Sequence, residues 1–280
     1  MKVLYKYLSP DLLKVLQDRR LRFTQPGDFN DPFEFRPQIQ AAASDQEVRT
    51  YVENNFERLV EQELIQYGAL VQSIPRQVLK DLLLSQRAKL PELFNMLQPE
   101  VLQKLSPALD GLLNHNVGVL CLSEVRDSLL MWGHYTNNHK GFVIGFDSDH
   151  PFFSKRRSEH DEFGFLRKVE YQTQRPQVTL SDTSSPVWFQ TKSSHWAYEK
   201  EWRIVRVLSE ATQRIDRSPF PICLFEFPPD AALEIIVGMR ADPSTVQAIQ
   251  SLSAAFPKAG LFNAREVASE YGLKFESFIR

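Results

Sequence analysis

The chain has 280 residues, 42% hydrophobic and 24% charged, which excludes a disordered, collagen-like or coiled-coil rod and leaves a globular protein able to bury a core. Lys and Arg number 33 against 35 Asp and Glu, a formal charge of −2, so any basic surface is local and no global pull toward nucleic acid or anionic membrane is implied. No window approaches the roughly 18 consecutive apolar residues of a membrane-spanning helix, and the N-terminal MKVLYKYLSPDLL has no apolar run of signal-peptide length. A cytoplasmic location is expected, with Cys121 and Cys223, each in an apolar strand-like run, as reduced structural thiols.

In chain order, the apolar run Val3 to Tyr7 predicts a strand, and Ser9-Pro10-Asp11 predicts a helix start with Ser9 as the cap. Arg20 to Phe23 alternates as a second strand. Gln25 to Pro37, with three prolines and a glycine, predicts a loop that carries Asn30-Asp31-Pro32-Phe33-Glu34. From Ala41 to Leu113 apolar residues recur at helical spacing, as in Val48, Tyr51, Val52, Phe56, Leu59 and Val60, then Leu79, Leu82 and Leu83, then Leu93, Phe94 and Leu97. This stretch predicts a helical insertion, 41–113, within a single domain of residues 1–280.

After Asn116 the pattern turns to strand. Val117 to Ser123 and Phe142 to Asp147 are β-rich runs that enclose a short helix within Asp127 to Tyr135. Further strands are expected at 168–171, 202–208, 222–227, 233–237 and 273–279, and one late helix from Pro243 to Phe256 with Asp242 as its cap. Strands grouped around helical segments, without regular βαβ alternation, predict an α+β fold with a mixed, mostly antiparallel sheet.

Glycine-rich phosphate loops, H-E-x-x-H and C-x-x-C are all absent. A zinc site built from Cys121, His134, His139 and Cys223 is disfavoured by the five-residue spacing of the histidines, and no metal is expected. A triad of Ser123, His139 and Asp127 lacks a nucleophile elbow.

Three places concentrate side chains that packing alone does not demand. The first is Tyr5-Lys6-Tyr7, Arg22 and the Asn30 to Glu34 loop, where Asn30 and Asp31 equally suit an Asx-turn. The second is Ser123-Glu124 through Gly141, with Trp132, His134, Tyr135 and His139, groups that stack on a planar ring or bond a ribose hydroxyl. Its structural alternative puts Met131 and Trp132 in the core and the histidines on the rim. The third is Lys192 to Arg203, where Glu199 and Glu201, two apart, project to one side of an extended segment and suit stabilisation of a cationic transition state. Solvated charges at a strand's start are the alternative there.

The strings LYKYLS, FNDPFE, CLSE with MWGHYTNNHKGFVIGF, and YEKEWRIV together resemble the bacterial family of domain of unknown function 2971, from Leu4 to about Met239. The same ordered segments are more distantly similar to ADP-ribosyltransferases, which carry a His or Arg on a first strand, a Ser or Tyr on a second and a Glu at the start of a later one. That likeness implies NAD as the substrate, with no metal, and sets Lys6 or Arg22 in the first place, Ser123 or Tyr135 in the second and Glu201 in the third, with Glu199 as the upstream acid. Tyr7, Asn30, Asp31, His134 and His139 are expected around the nucleotide, and Trp132 or Tyr135 against the nicotinamide. Lys6 departs from the pattern, because a point-charge ammonium does not reproduce a planar guanidinium or imidazole. Replacing Glu201 by Gln is expected to remove turnover and leave the melting temperature nearly unchanged.

Two other readings accompany this one. The first is a non-catalytic nucleotide-binding or regulatory module of a phage-defence or toxin system. The second is a nucleic-acid-processing enzyme, suggested by the clusters Lys155-Arg156-Arg157 and Arg167-Lys168. A small nucleotide is the expected partner, with a protein or nucleic-acid acceptor and no membrane. Oligomeric state is open.

Overall fold

The computed structural model describes residues 2–67, 75–85, 89–159, 161–182 and 186–278. The alternating N-terminal run forms strand β1 (Val3–Leu8), followed by α1 (Lys14–Asp18) and β2 (Arg20–Phe23). After β3 (Gln38–Ala41) come the helices α2 (Asp45–Tyr67), α3 (Arg76–Ser85) and α4 (Leu90–Asn116). The strand-rich part contains β4 (Val117–Ser123), α5 (Leu129–Tyr135), β5 (Phe142–Asp147), β6 (Arg167–Lys168), β7 (Glu170–Gln172), β8 (Gln177–Thr179), α6 (Val187–Gln190), β9 (Thr191–Ser193) and β10 (Glu201–Val207). The chain ends with β11 (Gln213–Ile215), β12 (Ile222–Glu226), β13 (Ala232–Val237), α7 (Pro243–Ser253), β14 (Gly260–Glu266) and β15 (Leu273–Ser277).

This is the expected α+β class, and β2, β4 and β5 have the expected limits. Other details differ. Helix α7 ends at Ser253, freeing Phe256 to enter the core, and neither Asp242 nor Ser9 makes a side-chain capping bond. Strand β14 was not predicted, and the expected strand end at Ile279 lies outside the described residues. Among the described residues no helix is long and apolar enough to cross a membrane.

The chain divides into two compact units: Met1–Arg36, Asp110–Arg175 and Pro186–Arg280 in one, Pro37–Leu109 and Pro176–Ser185 in the other. In the second, Val48, Val52, Phe56 and Val60 fall every four residues along α2 and bury together, while Tyr51, Leu82 and Phe94 stay exposed. The side chains of Leu79, Leu83, Leu93 and Leu97 lie outside the described residues. Strands β3 and β8 pair in parallel there.

The first unit is built on an eight-stranded sheet in the order β15-β14-β13-β5-β1-β4-β10-β6, antiparallel except for β13 beside β14. A three-stranded sheet β11-β12-β2 and a parallel pair β7-β9 accompany it. One face of the large sheet carries the main core, with Leu4, Leu8, Leu120, Leu122, Phe142, Ile144, Phe146, Ile204 and Ile235. Each such buried side chain contributes roughly 1.5–3 kcal/mol of transfer free energy. Tyr5, Tyr7, Val143 and Ile236 point to the opposite face, where Met131 and Trp132 of α5 cover them.

The sheet is split in the middle. Strands β1 and β4 share a single pair, Tyr5 with Ser123, whereas β4 and β10 pair along seven positions. Continuing the register would set Tyr7 against Cys121, but that pair is not formed; Thr24, just after β2, bridges to Val119 instead. The opening between these two bridges holds the candidate site.

Candidate functional site

A cavity of about 120 Å³ occupies this split. Its walls come from β1 (Tyr5, Lys6, Tyr7), β4 (Val119, Cys121, Ser123), the loop residues Phe29 and Asn30, and Tyr135 of α5. Lys192, Glu199 and Glu201 close it on a further side. Lys6 sits where the strands separate, and its Nζ donates to the Cys121 carbonyl at 3.1 Å. The lysine thus satisfies a backbone acceptor on the edge that β1 leaves open. Tyr7 Oη donates to the Val125 carbonyl at 2.8 Å.

Glu199 and Glu201 converge by a route the sequence did not suggest. Glu199 ends a 3₁₀ turn and Lys200 adopts a left-handed backbone at φ 44°, so Glu201 alone belongs to the strand. Ser123 holds this turn: its Oγ donates to the Glu199 carbonyl at 2.6 Å and accepts from the Val125 N–H at 3.0 Å. The Glu201 N–H donates to Tyr171 Oη at 2.8 Å. Both carboxylates then meet one ammonium, Lys192 Nζ, at 2.7 Å from Glu199 Oε2 and 2.9 Å from Glu201 Oε2.

Behind Lys192 the network continues into the interior. Arg203 Nε donates to Glu201 Oε1 at 2.7 Å, its Nη2 reaches Glu201 Oε2 at 3.1 Å and also bonds Glu34 Oε1, and its Nη1 donates to the Phe189 carbonyl at 2.9 Å. Lys192 Nζ lies 3.5 Å from Glu34 Oε1. Every member is nearly inaccessible, from 0% side-chain exposure at Glu34 to 6% at Lys192. Burial opposes charge on each group, and the response differs. Burial pushes the Glu34 carboxyl up to about 7 despite Arg203 and Lys192. At Glu201 burial acts the same way, yet Arg203 and Lys192 outweigh it and hold the carboxyl well below the usual range. Lys192, desolvated but surrounded by Glu201, Glu34 and Glu199, is held far above the usual lysine value.

The two paired carboxylates have unequal capacity. Glu201 accepts three bonds from Arg203 and Lys192, which takes up most of its acceptor sites. Glu199 accepts one bond per oxygen, from Lys192 and from Tyr135 Oη at 2.6 Å, and keeps lone pairs facing the cavity. Burial and the Glu199 charge raise the Tyr135 hydroxyl far above its ordinary value, so it stays a neutral donor.

Of the residues singled out in the sequence, Tyr5, Lys6, Tyr7, Asn30, Ser123, Met131, Tyr135, Glu199 and Glu201 border this cavity. The others do not. Arg22 lies on the three-stranded sheet and pairs with Asp28, which Arg217 also binds. Trp132 is fully buried in the core, its Nε1 donating to the Arg126 carbonyl at 2.7 Å, and offers no wall to a ligand. His134 is exposed on the helix surface. His139 completes three consecutive left-handed residues, Asn137, Asn138 and His139, and stacks on Trp132 with ring centroids 6.1 Å apart. Asn and His tolerate this backbone better than most residues, so the NNH string is a turn signal. Asp31 forms the Asx-turn, accepting from the Phe33 N–H at 2.9 Å, and acts on the site only through its charge near Glu34.

Glu34, Lys192 and Arg203 fall inside the segments that the sequence singles out but have no role there, and Cys121 reads there as a structural thiol; all four belong to the site or its ion network. Cys223 is the buried structural thiol expected, whereas Cys121 borders the cavity. Glu201→Gln is no longer expected to leave the melting temperature unchanged, because Glu201 belongs to a buried ion network. The basic clusters are engaged: Arg156 and Arg167 stack on Phe165, and Arg167 and Arg157 pair with Glu162 and Asp161. Among the described residues no group of three His, Cys, Asp or Glu side chains is disposed to hold a metal ion.

Residues 131–204 match the model of a family described as protein of unknown function (DUF2971). That stretch includes Tyr135, Lys192, Glu199, Glu201 and Arg203, while LYKYLS, FNDPFE and CLSE fall outside it. No curated protein and no solved structure matches the chain.

Proposed function

We propose that the chain is an ADP-ribosyltransferase-like enzyme that cleaves the nicotinamide–ribose bond of NAD. The observation that carries this reading is the meeting of Glu199, Glu201 and Tyr135 around one cavity with Lys6 and Asn30, residues from segments well separated along the chain. A cavity of about 120 Å³ suits one ring and its attached sugar edge, well short of a dinucleotide. The nicotinamide end therefore enters, and the phosphates remain toward the opening.

In this mechanism nicotinamide leaves with the electrons of the glycosidic bond and the ribose passes through an oxocarbenium-like state. Glu199 is the carboxylate that accepts a ribose hydroxyl, because it retains free lone pairs, and its charge stabilises the developing cation. Tyr135 and Lys192 fix the orientation of that carboxylate. Glu201, with three acceptor sites taken by Arg203 and Lys192, positions Lys192. Lys6 and Asn30 hold oxygens of the ligand at the mouth, and a protein, nucleic-acid or water acceptor then attacks the anomeric carbon.

A second reading, a non-catalytic nucleotide-binding module, is favoured by the engagement of Glu201 with Arg203 and Lys192, since a carboxylate held in an ion network is less able to act on a bound ligand. Incubating the purified protein with NAD and assaying free nicotinamide separates the two. Release that disappears in Glu199→Gln supports the enzyme. No release, together with a rise in melting temperature on adding NAD, replaces it with the binding module.

A further inference from the structure

Strand β15 forms one margin of the eight-stranded sheet, and the ladder it makes with β14 fixes where its backbone groups point. Asn263 lies opposite Glu276, Ala264 opposite Phe275 and Arg265 opposite Lys274. In the same register the Phe278 N–H donates to the Leu261 carbonyl and the Val267 N–H to the Gly272 carbonyl, each at 3.0 Å. Even-numbered residues of this segment therefore bond inward to β14. The N–H and C=O of one strand residue share a side and alternate along the strand, so those of Leu273, Phe275 and Ser277 point outward. Among the described residues these outward groups have no partner.

An open edge is a template for another strand, and charge decides which strand it accepts. At the opposite margin β6 has two residues, Arg167 and Lys168, alike in sign, and is too short and too basic to pair with itself. Strand β15 has five residues of mixed sign. Lys274 and Glu276 lie on one face, exposed and joined at 2.8 Å, and Arg265 of β14 approaches the same glutamate at 3.8 Å. Leu273 and Phe275 turn to the other face and pack, partly buried, against the cluster that contains Tyr5, Tyr7 and Trp132. A second copy related by a two-fold axis runs antiparallel to this edge. One register sets Lys274 against Lys274 of the other copy, another sets Glu276 against Glu276, and both bring like charges together where opposed side chains are closest. With Phe275 on the axis the clash disappears: Phe275 bonds Phe275, Leu273 bonds Ser277, and Lys274 faces Glu276 twice.

We propose that β15 is a dimer contact: two copies of the chain join edge to edge about an axis at Phe275, and the large sheet continues from one into the other. The outward groups of Leu273, Phe275 and Ser277 are then all paired, and each Glu276 serves a lysine from the other copy besides the cations of its own chain. A lone lysine on an edge repels a second copy, whereas opposite charges two residues apart select one. The contact is independent of the reading of the cavity, which lies beyond β14, β13 and β5 in the sheet.

The test is sedimentation of the full chain over a range of concentrations, with the charges at 274 and 276 exchanged. The unaltered chain should sediment as a dimer at about 100 μM. Lys274→Glu opposes glutamate to glutamate and Glu276→Lys opposes lysine to lysine, so each alone should weaken association by about tenfold or more with an unchanged circular dichroism spectrum. An equimolar mixture of the two variants restores opposite charges at both positions and should form a dimer with one chain of each, resolved by native mass spectrometry. The doubly exchanged chain, Lys274→Glu with Glu276→Lys, should dimerise as the unaltered chain does. An unaltered chain that stays monomeric at about 100 μM, a dimer that persists in both single variants, or a mixture that fails to associate would each overturn the proposal.

Discussion

Strands β4 and β10 present two different environments from the same backbone. On one side Leu120, Leu122 and Ile204 enter the main apolar core; on the other Cys121, Ser123, Glu201 and Arg203 build the charge network beside the cavity. Alternation along paired strands puts them a few ångströms apart. The apolar side gains free energy residue by residue, because burial of hydrocarbon is non-directional and close to additive in area. The polar side has no such independence. Each charge there is tolerable only because its partners are present, so the set behaves as one unit.

The largest expected effect tests that contrast. Arg203→Ala leaves the buried carboxylates of Glu201 and Glu34 to share the one ammonium of Lys192, already paired with Glu199, and should cost about 3–5 kcal/mol in urea denaturation. Replacing Arg203 by Met, and Glu201 and Glu34 by Leu, in one protein should recover most of that loss and leave Lys192 paired with Glu199. A triple variant less stable than Arg203→Ala would show that the charges act separately. On the other face, Leu122→Ala should cost about 2–5 kcal/mol with no change in how stability varies with pH.

The two faces also differ in how much of them can be read without coordinates. Val117–Ser123 and Phe142–Asp147 are runs of β-branched and aromatic residues that packing fixes locally, and their limits emerge correctly. Strand β14, with Asn263, Arg265 and Glu266 among its seven residues, carries no comparable pattern and is held by its neighbours β13 and β15. At the site, E-x-E and Tyr135 stand out because paired carboxylates and a tyrosine are costly to hold in a segment that leads into a buried strand. Lys192, Arg203 and Glu34 do not, since a lone charge in a sequence looks solvated until a contact 169 positions away is known. Trp132 and His139 mislead for the opposite reason: aromatic density marks a core or a left-handed turn as readily as a ligand wall.

A smaller effect follows from Glu34 and Glu201, whose carboxyls move in opposite directions. The Glu34 carboxyl is raised, so the folded protein holds a proton that the unfolded chain has released, and stability should fall as pH rises from about 4.5 to about 7. The Glu201 carboxyl is depressed, so its contribution is present above about 4.5 and is lost as the pH falls below that. Urea midpoints measured across pH should therefore decline toward neutrality in the unaltered chain, and Glu34→Gln should flatten that decline while keeping the loss in acid. A decline that survives in Glu34→Gln would assign the retained proton to another group. Smaller again is Tyr135→Phe, which removes one bond to Glu199 and should cost about 1.5–3 kcal/mol, with nicotinamide release from NAD reduced by about tenfold or more.

Arg22 gives the smallest expected effect and the sharpest boundary to the site. Its guanidinium pairs with Asp28, and Arg217 holds the same carboxylate oxygen, so removing either arginine leaves the acid partnered. With side-chain exposures of 28% and 19%, the Arg22–Asp28 pair is partly screened by water and contributes at most about 1 kcal/mol. Arg22→Gln should thus change the urea midpoint only slightly. Because Arg22 does not border the cavity, nicotinamide release and NAD affinity should both match the unaltered chain. A loss of affinity larger than about threefold, with stability preserved, would mean that the ligand reaches beyond the split in the sheet to the arginine on β2, and the boundary drawn at Thr24 and Asn30 would have to be moved.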